Sequence, residues 1–112
     1  MQTSVSIMIC TRNRAESLAG TLAAMASLHV PHGMRAEVVV VDNGSQDRTR
    51  DVVRQAELAN MPVRYVLEPR PGQSMARNRG MAEADGQIIL FTDDDIRPPA
   101  NWVECMLSLI HI

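Results

Sequence analysis

Three short polar clusters hold the side chains of this chain that could do chemistry. They are Thr-Arg-Asn-Arg at 11–14, Asp-Asn-Gly-Ser at 42–45 and Asp-Asp-Asp at 93–95, and each directly follows an apolar run. Three adjacent carboxylates repel one another unless a cation or ligand compensates them, and their hard oxygen atoms suit Mg²⁺ or Mn²⁺. Such a cation would bridge phosphate oxygens and stabilise a leaving diphosphate. The triple aspartate therefore predicts a metal or nucleotide site.

Two further side chains are candidates for binding a nucleotide. Asp42 ends an apolar run before a glycine turn, so its carboxylate could accept hydrogen bonds from a ring N–H or a ribose hydroxyl, whereas a turn or capping role is the alternative. Arg77 could stack on a base or pair with phosphate, and Gly80 removes a side chain beside it. Arg12 and Arg14 are interpreted as solvated loop charges. The histidines have no carboxylate or cysteine partner at useful spacing and are not expected to be ligands.

The apolar runs predict the strands that position these clusters. Runs at 5–10, 37–41, 63–67 and 87–92 alternate with segments of helical periodicity, which is typical of parallel strands covered by crossover helices. We therefore predict an α/β fold with a mainly parallel sheet and flanking helices. Ligands of open α/β sheets bind outside the carboxyl ends of the strands, where the three clusters lie.

Capping signals predict where the helices begin and end. Asn13, followed three residues later by a glutamate, indicates a capping box for the first helix. Ser45 and Ser74 are predicted to cap the second and third helices, and Gly86 to end the third in the left-handed conformation. Asn101 is predicted to cap a last helix.

Composition indicates one globular domain or a piece of one. The chain has 112 residues, 46% hydrophobic and 21% charged. With 11 basic and 13 acidic residues its formal net charge is -2, so no nucleic-acid partner is expected. Cys10 and Cys105 lack metal-ligand spacing and are predicted to be reduced core thiols, which favours a cytoplasmic location. We see neither a secretory leader nor an apolar stretch of roughly 20 residues, so no membrane span is expected in this segment.

Four segments together resemble glycosyltransferase family 2, the inverting nucleotide-sugar transferases with the Rossmann-like GT-A fold. The segments are 6–14, 38–49, Gly72 with 76–80, and 84–95, in the family's order and at its approximate spacing. The resemblance covers residues 5–106. Residues 1–106 are therefore interpreted as the N-terminal nucleotide-sugar-binding portion of a GT-A domain that is truncated at its C-terminus.

The resemblance also implies roles for individual residues. Asp42 would recognise the base and Arg77 would flank the base or the diphosphate. Asp93 and Asp95 correspond to the two ends of the family's Asp-x-Asp motif, and both are metal candidates, with Asp95 the leading one. Because Asp94 is acidic as well, the neighbouring pair that fulfils this role stays open. The candidate nucleotide-binding residues are Thr11, Asn13, Asp42, Arg77, Asp93 and Asp94.

The implied reaction is metal-assisted transfer of a sugar, with inversion, from a nucleoside diphosphate to an acceptor hydroxyl. The resemblance suggests a UDP-sugar donor, Mn²⁺ or Mg²⁺ as cofactor, and a glycan or lipid acceptor in bacterial cell-surface glycan synthesis. A peripheral position at the inner membrane face is an alternative within the cytoplasmic location. No catalytic residue is assigned, because the family's acidic base and acceptor half are expected beyond this sequence, and the chain alone is expected to be inactive.

Other classes of protein remain as alternatives. A non-catalytic nucleotide-sugar-binding module would keep the pocket without performing transfer. A Rossmann dehydrogenase is disfavoured because Thr-Arg-Asn-Arg follows the first strand in place of a glycine-rich phosphate loop. A sugar nucleotidyltransferase is closer in fold, but its glycine- and lysine/arginine-rich signature is not present after the first strand.

The last six residues, Leu-Ser-Leu-Ile-His-Ile at 107–112, suggest a different origin. The codons CTG-TCT-CTT-ATA-CAC-ATC encode this hexapeptide and resemble the transposase end sequence used in preparing sequencing libraries. We therefore interpret 107–112 as a non-native, adapter-derived tail. The alternative is an amphipathic helix that continues from Trp102.

Overall fold

The computed structural model of the chain describes residues 3–109 and shows strands and helices in strict alternation. The predicted α/β class is confirmed, and each predicted strand is present. The elements are β1 Thr3–Thr11, α1 Ala15–Met25, β2 Met34–Asp42, α2 Thr49–Gln55, β3 Val63–Leu67, α3 Gln73–Glu83, β4 Ile88–Thr92 and α4 Trp102–Ser108.

The four strands form one parallel sheet in the order β3-β2-β1-β4. The two central strands, β1 and β2, are covered on both faces, which explains their unbroken apolar runs. Their register places Thr11 beside Asp42, while Ile9 pairs with Thr92, the last residue of β4. The segments that follow β1, β2 and β4 therefore lie at the same edge of the sheet.

Two apolar clusters form the core, one on each face of the sheet. On the first face Leu18 and Leu22 of α1 pack with Val53 of α2 and Val103 of α4. On the second face Ala76 of α3 packs against buried side chains of β1, β2 and β3. Helix α3 therefore covers one face and the other three helices cover the opposite face.

The predicted adapter-derived tail overlaps α4. Leu107 lies in this helix and packs against the larger apolar cluster, and Ser108 ends the helix. Residues 110–112 of the predicted tail lie outside the described residues. The origin of 107–112 stays a prediction.

Helix α1 is capped from the connection after β2, and α2 is capped by Asp47 of its own connection, contrary to the predictions for Asn13 and Ser45. Asn13 has a φ of 54° and precedes the first turn, and α1 begins at Ala15, whose N–H donates to Asp47 Oδ2 at 3.1 Å. Ser45 precedes α2 by several residues, and its hydroxyl accepts the Asn13 N–H at 2.8 Å. The capping rules apply along one segment of chain, whereas these bonds join two segments that only the sheet brings together.

The ends of α3 also differ from the capping predictions. The helix begins at Gln73, after Gly72 with a φ of 116°, so Ser74 lies inside it. The left-handed stop predicted for Gly86 is wrong, because Gly86 has no positive φ. A Cβ at this position would lie 2.5 Å from Ser6 N, so glycine is required here by close approach to β1.

The burial of the cysteines and the lengths of the helices can be compared with what the composition predicted. Cys10 is half-buried and Cys105 is exposed on α4, and both are free thiols. The prediction of a core thiol is therefore wrong for Cys105, because α4 turns this position to solvent. None of the helices within residues 3–109 has the length and apolar character of a membrane span.

A polar network ties the α3–β4 connection to the two central strands. Glu37 Oε2 accepts the Ser6 hydroxyl at 2.5 Å and the Asp85 N–H at 2.9 Å, and its Oε1 accepts Arg64 Nε at 2.9 Å. Ser6 Oγ in turn accepts the Gly86 N–H at 2.8 Å. The network fixes the start of β4, and through it the position of the aspartates that follow this strand.

We expect this network to make the stability of the chain depend on acid. Burial raises the pKa of Glu37, but bonds from Ser6, the Asp85 N–H and Arg64 outweigh it, so the pKa lies below its ordinary value of 4.5. A carboxyl group whose pKa is lower in the folded state stabilises the fold above its unfolded pKa, and this contribution is lost as pH falls through the folded pKa. Stability measured by urea denaturation should therefore decline below pH 4.5.

Substitution of the carboxylate tests this pH dependence. Glu37→Gln should lower stability at neutral pH by about 1 kcal/mol and make the decline in acid shallower. Glu57→Gln, which removes an exposed carboxylate from a loop, is the control and should keep the wild-type pH dependence. A Glu37→Gln curve parallel to the wild-type curve would contradict the network's role.

Candidate functional site

The carboxyl ends of β1, β2 and β4 surround an open cavity of about 430 Å³. Members of all three polar clusters line it, and α3 contributes Gln73 and Ala76. The cluster residues at its wall are Thr11, Arg12, Arg14, Asn43, Asp93, Asp94 and Asp95. The structure therefore brings together the clusters that the sequence singled out.

Asp94 is the buried member of the triple aspartate. Its Oδ2 accepts the Thr11 hydroxyl at 2.8 Å, and its main-chain oxygen accepts the Thr21 hydroxyl at 2.9 Å. Arg14 Nε lies 3.5 Å from Oδ1. Both carboxylate oxygens therefore face protein groups, and Asp94 joins the ends of β1 and β4 to α1. A nucleotide contact by Asp94 stays a prediction.

Asp93 and Asp95 are the accessible carboxylates of the triple aspartate. The Asp95 side chain is 51% exposed, and its Oδ2 lies 3.3 Å from Arg14 Nη2. Asp93 is exposed and borders both the central cavity and a second cavity beside β4. Two carboxylates separated by one inward-facing residue thus present free oxygen atoms at the mouth of the cavity.

These two carboxylates fit a divalent cation that also binds phosphate. Within residues 3–109 no group of three histidine, cysteine, aspartate or glutamate side chains converges to hold a metal ion. The described part of the chain alone therefore does not complete a coordination sphere. Mg²⁺ commonly takes one or two carboxylates and completes its octahedron with water and substrate phosphates. The oxygen donors of Asp93 and Asp95 match this chemistry.

Asp42 is buried at the end of β2, with only 2% of its surface exposed. Its Oδ1 accepts the Ser45 N–H at 2.9 Å, and its Oδ2 accepts the Tyr65 hydroxyl at 2.6 Å. Burial and the bond to Asp42 together raise the pKa of Tyr65 to about 12, so the phenol is a neutral donor. These contacts favour the turn interpretation of Asp42, and its contact with a base stays a prediction.

Asn43, which was not singled out from the sequence, lines the cavity beside Asp42. Its Nδ2 donates to the carbonyl oxygens of Glu68 at 2.9 Å and Arg70 at 2.8 Å. Successive side chains at a strand end point to opposite sides, so an inward Asp42 leaves the next residue facing out. That alternation is the signal that could have identified Asn43.

An ion pair between the buried Glu68 and the exposed Arg70 holds the loop that Asn43 contacts. Glu68 is 1% exposed, and its Oε1 accepts Arg70 Nη2 at 2.7 Å. The bonds from Arg70 hold the pKa of Glu68 below its ordinary value. The sequence predicted only a loop here, because a glutamate before a proline carries no signal that its partner lies two residues away. The pair fixes the wall of the cavity next to β3.

Asn13 does not line the central cavity, and it bonds to the connection after β2. Its Oδ1 accepts the Gln46 N–H at 2.7 Å, and its N–H donates to Ser45 Oγ. With Asp47 it borders a shallower depression between the two connections. Asn13 therefore links the two connections, and a direct nucleotide contact stays a prediction.

Arg77 lies on the side of the site next to β4. Its guanidinium sits 5.9 Å from the ring centroid of Phe91, in a cation–π arrangement. Both residues line the second cavity of about 560 Å³, together with Asp93 and Cys10. Burial raises the pKa of the Cys10 thiol. Asp93 thus separates a pocket with Thr11 and Asn43 from a pocket with Arg77.

Comparison with known proteins identifies the family of this chain. A sequence model described as "Glycosyl transferase family 2" matches residues 6–111. The chain belongs to glycosyltransferase family 2. The family resemblance predicted from the four segments is therefore confirmed.

Individual proteins of known name or structure are similar to this chain. The glycosyltransferase AglE of Haloferax volcanii is 37% identical over 107 residues, which cover 95% of this chain and 35% of AglE. The mannosyltransferase PcManGT of Pyrobaculum calidifontis, solved with GDP-Man and Mn²⁺, superposes with a TM-score of 0.76 at 31% identity, covering 89% of this chain and 30% of that one. TarS of S. aureus, solved with UDP-GlcNAc, gives a TM-score of 0.73 at 26% identity, covering 96% and 30%.

The match to glycosyltransferases of known structure confirms the predicted GT-A fold. The chain spans about a third of the length of these relatives. The matched part contains the parallel sheet and the cavity at its carboxyl edge.

Proposed function

We propose that this chain forms the donor-binding part of an inverting glycosyltransferase that uses a nucleoside diphosphate sugar with Mn²⁺ or Mg²⁺. The observation that carries the proposal is the pair of accessible carboxylates, Asp93 and Asp95, at the mouth of a cavity formed by three strand ends. The relatives solved with GDP-Man and Mn²⁺ and with UDP-GlcNAc support this class of donor. A UDP-sugar is the first candidate.

Different residues around the cavity would bind different parts of the donor. Asp95 and Asp93 would hold the metal, and a bound divalent cation compensates the charge that develops on the leaving diphosphate. Thr11 holds Asp94 by a hydrogen bond, so that the two outer carboxylates are the more accessible ones for the ligand. Asn43 has an amide at the opposite wall, where its Nδ2 is already bonded to the loop and its Oδ1 is an acceptor for a base N–H.

The acceptor substrate has to be considered for the whole parent enzyme. Transfer with inversion needs a general base that takes the proton of the acceptor hydroxyl. We propose a glycan or lipid acceptor in cell-surface glycan synthesis. The name of one relative, the chondroitin synthase of Escherichia coli, which is 31% identical over 110 residues, supports a glycan product. The two free thiols support a cytoplasmic donor site.

Calorimetric titration of the chain with UDP tests the proposed donor site. We expect binding with Mn²⁺ or Mg²⁺ and none with a chelator, because exposed carboxylates repel a diphosphate until a cation lies between them. Metal and UDP should each tighten the binding of the other. GDP in the same titration reports the preference for the base. Equal UDP affinity with metal and with chelator would contradict the assignment of Asp93 and Asp95.

A further inference from the structure

Arg14 is the cation that faces the triple aspartate in the described structure. Its Nη2 lies 3.3 Å from Asp95 Oδ2, and its Nε lies 3.5 Å from Asp94 Oδ1. The sequence suggested a solvated loop charge, and the structure shows an exposed loop side chain that also makes two long ion pairs. The guanidinium thus pairs with a carboxylate that would also be a ligand of the proposed metal ion.

The backbone of Arg14 is fixed on both sides. On one side Asn13 accepts the Gln46 N–H at 2.7 Å, and on the other the Ala15 N–H donates to Asp47 at 3.1 Å. These bonds attach the turn that carries Arg14 to the connection after β2. The backbone from which the Arg14 side chain extends is therefore held by the connection after β2.

The guanidinium group of Arg14 is held weakly. The Arg14 side chain is 49% exposed, and its contacts with both aspartates are longer than a good charge-assisted hydrogen bond. Exposed ion pairs of this kind change an equilibrium by at most about fivefold. The guanidinium can therefore leave Asp95 at small cost when a better partner is present.

We propose that Arg14 is a built-in counter-cation that keeps divalent metal off Asp95 until a nucleoside diphosphate arrives, and then pairs with a phosphate oxygen. This inference rests on the proposed function, since it requires metal binding at Asp95. Without nucleotide, a divalent ion and the guanidinium repel each other across one carboxylate. With nucleotide, the diphosphate brings negative charge that both cations can share, and guanidinium suits phosphate geometry. Arg14 therefore couples metal binding to donor binding.

The test measures Mn²⁺ binding to the whole chain by the electron paramagnetic resonance signal of free Mn²⁺, with and without saturating UDP. Arg14→Gln removes the charge and keeps the polar chain, whereas Arg14→Lys keeps the charge. Arg35→Gln is the matched control, since Arg35 is exposed near the opposite end of β2. Circular dichroism verifies that each variant is folded.

Without UDP, Arg14→Gln should bind Mn²⁺ roughly three- to fivefold more tightly than wild type, because a repelling charge is gone. The factor by which UDP tightens Mn²⁺ binding should fall by at least the same amount. Arg14→Lys and Arg35→Gln should stay within about twofold of wild type. Mn²⁺ binding by Arg14→Gln that is unchanged or weaker without UDP would overturn the proposal.

Asp95→Asn in the same assay separates this inference from the proposed function. If Asp95→Asn leaves Mn²⁺ binding unchanged, the metal is not at Asp95 and both proposals are overturned. If Asp95→Asn weakens Mn²⁺ binding while Arg14→Gln behaves like wild type, the metal site stands and only the role of Arg14 is wrong. Weaker binding by Asp95→Asn with tighter binding by Arg14→Gln supports both.

Discussion

Replacing Asp95 with asparagine should weaken the binding of UDP in the presence of Mn²⁺ by about a hundredfold, or about 2.7 kcal/mol. The Asp95 carboxylate is half-exposed. Among the described residues, its only hydrogen bond or ion pair is the long one with Arg14. Its removal therefore costs the fold little, whereas it removes the leading ligand of the metal. Titration calorimetry measures the affinity, and urea denaturation should show stability within about 0.5 kcal/mol of wild type.

Asp94→Asn is the matched control, with the opposite pattern expected. Asp94 is buried and bonds the Thr11 hydroxyl, so loss of its charge should destabilise the chain by about 1–3 kcal/mol. Where Asp94→Asn is still folded, its UDP binding should keep the dependence on Mn²⁺. If Asp94→Asn abolishes the metal dependence and Asp95→Asn preserves it, Asp94 is the metal ligand and the present assignment is wrong.

Replacing Gly86 with alanine should destabilise the chain by about 2–3 kcal/mol. The added Cβ would lie 2.5 Å from Ser6 N and 2.8 Å from Val5 C, which are backbone atoms of the central strand β1. Backbone in the middle of a sheet cannot move aside, so the α3–β4 connection must shift. That shift lengthens the bond from the Gly86 N–H to Ser6 Oγ.

Gly20→Ala provides the comparison, since it adds the same methyl group in a different environment. Its Cβ would meet the guanidinium of Arg97, the far end of a flexible and exposed side chain. The guanidinium can move, and alanine favours the helix over glycine by about 1 kcal/mol. We expect a stability equal to or above wild type in thermal and urea denaturation. Equal losses for Gly20→Ala and Gly86→Ala would contradict the close-approach argument.

The order of the elements could be predicted from the sequence because it depends on local patterns. The third strand, Val63–Leu67, has the predicted bounds, since a proline precedes it and a proline-rich loop follows. Strands β1 and β2 extend beyond their apolar runs to Thr3 and Met34. The backbone hydrogen-bond ladder between β1 and β2 continues through these less apolar residues. The predicted bounds were shorter because they followed hydrophobicity alone.

The inner and outer members of the triple aspartate could not be predicted in the same way. Three identical side chains in a row carry no pattern that separates them. Asp94 faces inward because Thr11 donates a hydrogen bond from 83 positions earlier in the chain. The same limit applies to the helix caps, where the partners of Asn13 and Ala15 come from the connection after β2. Contacts of this range follow from strand order, which the apolar runs alone did not give.

The hydrogen bonds between the β1–α1 and β2–α2 connections have a consequence for local unfolding. Each connection supplies acceptors for the amide protons of the other: Asp47 for Ala15, Ser45 for Asn13, and Asn13 for Gln46. Opening of either connection breaks hydrogen bonds of the other, so we expect the two connections to fray together. A state in which one connection is ordered and the other is open should therefore be rarely populated.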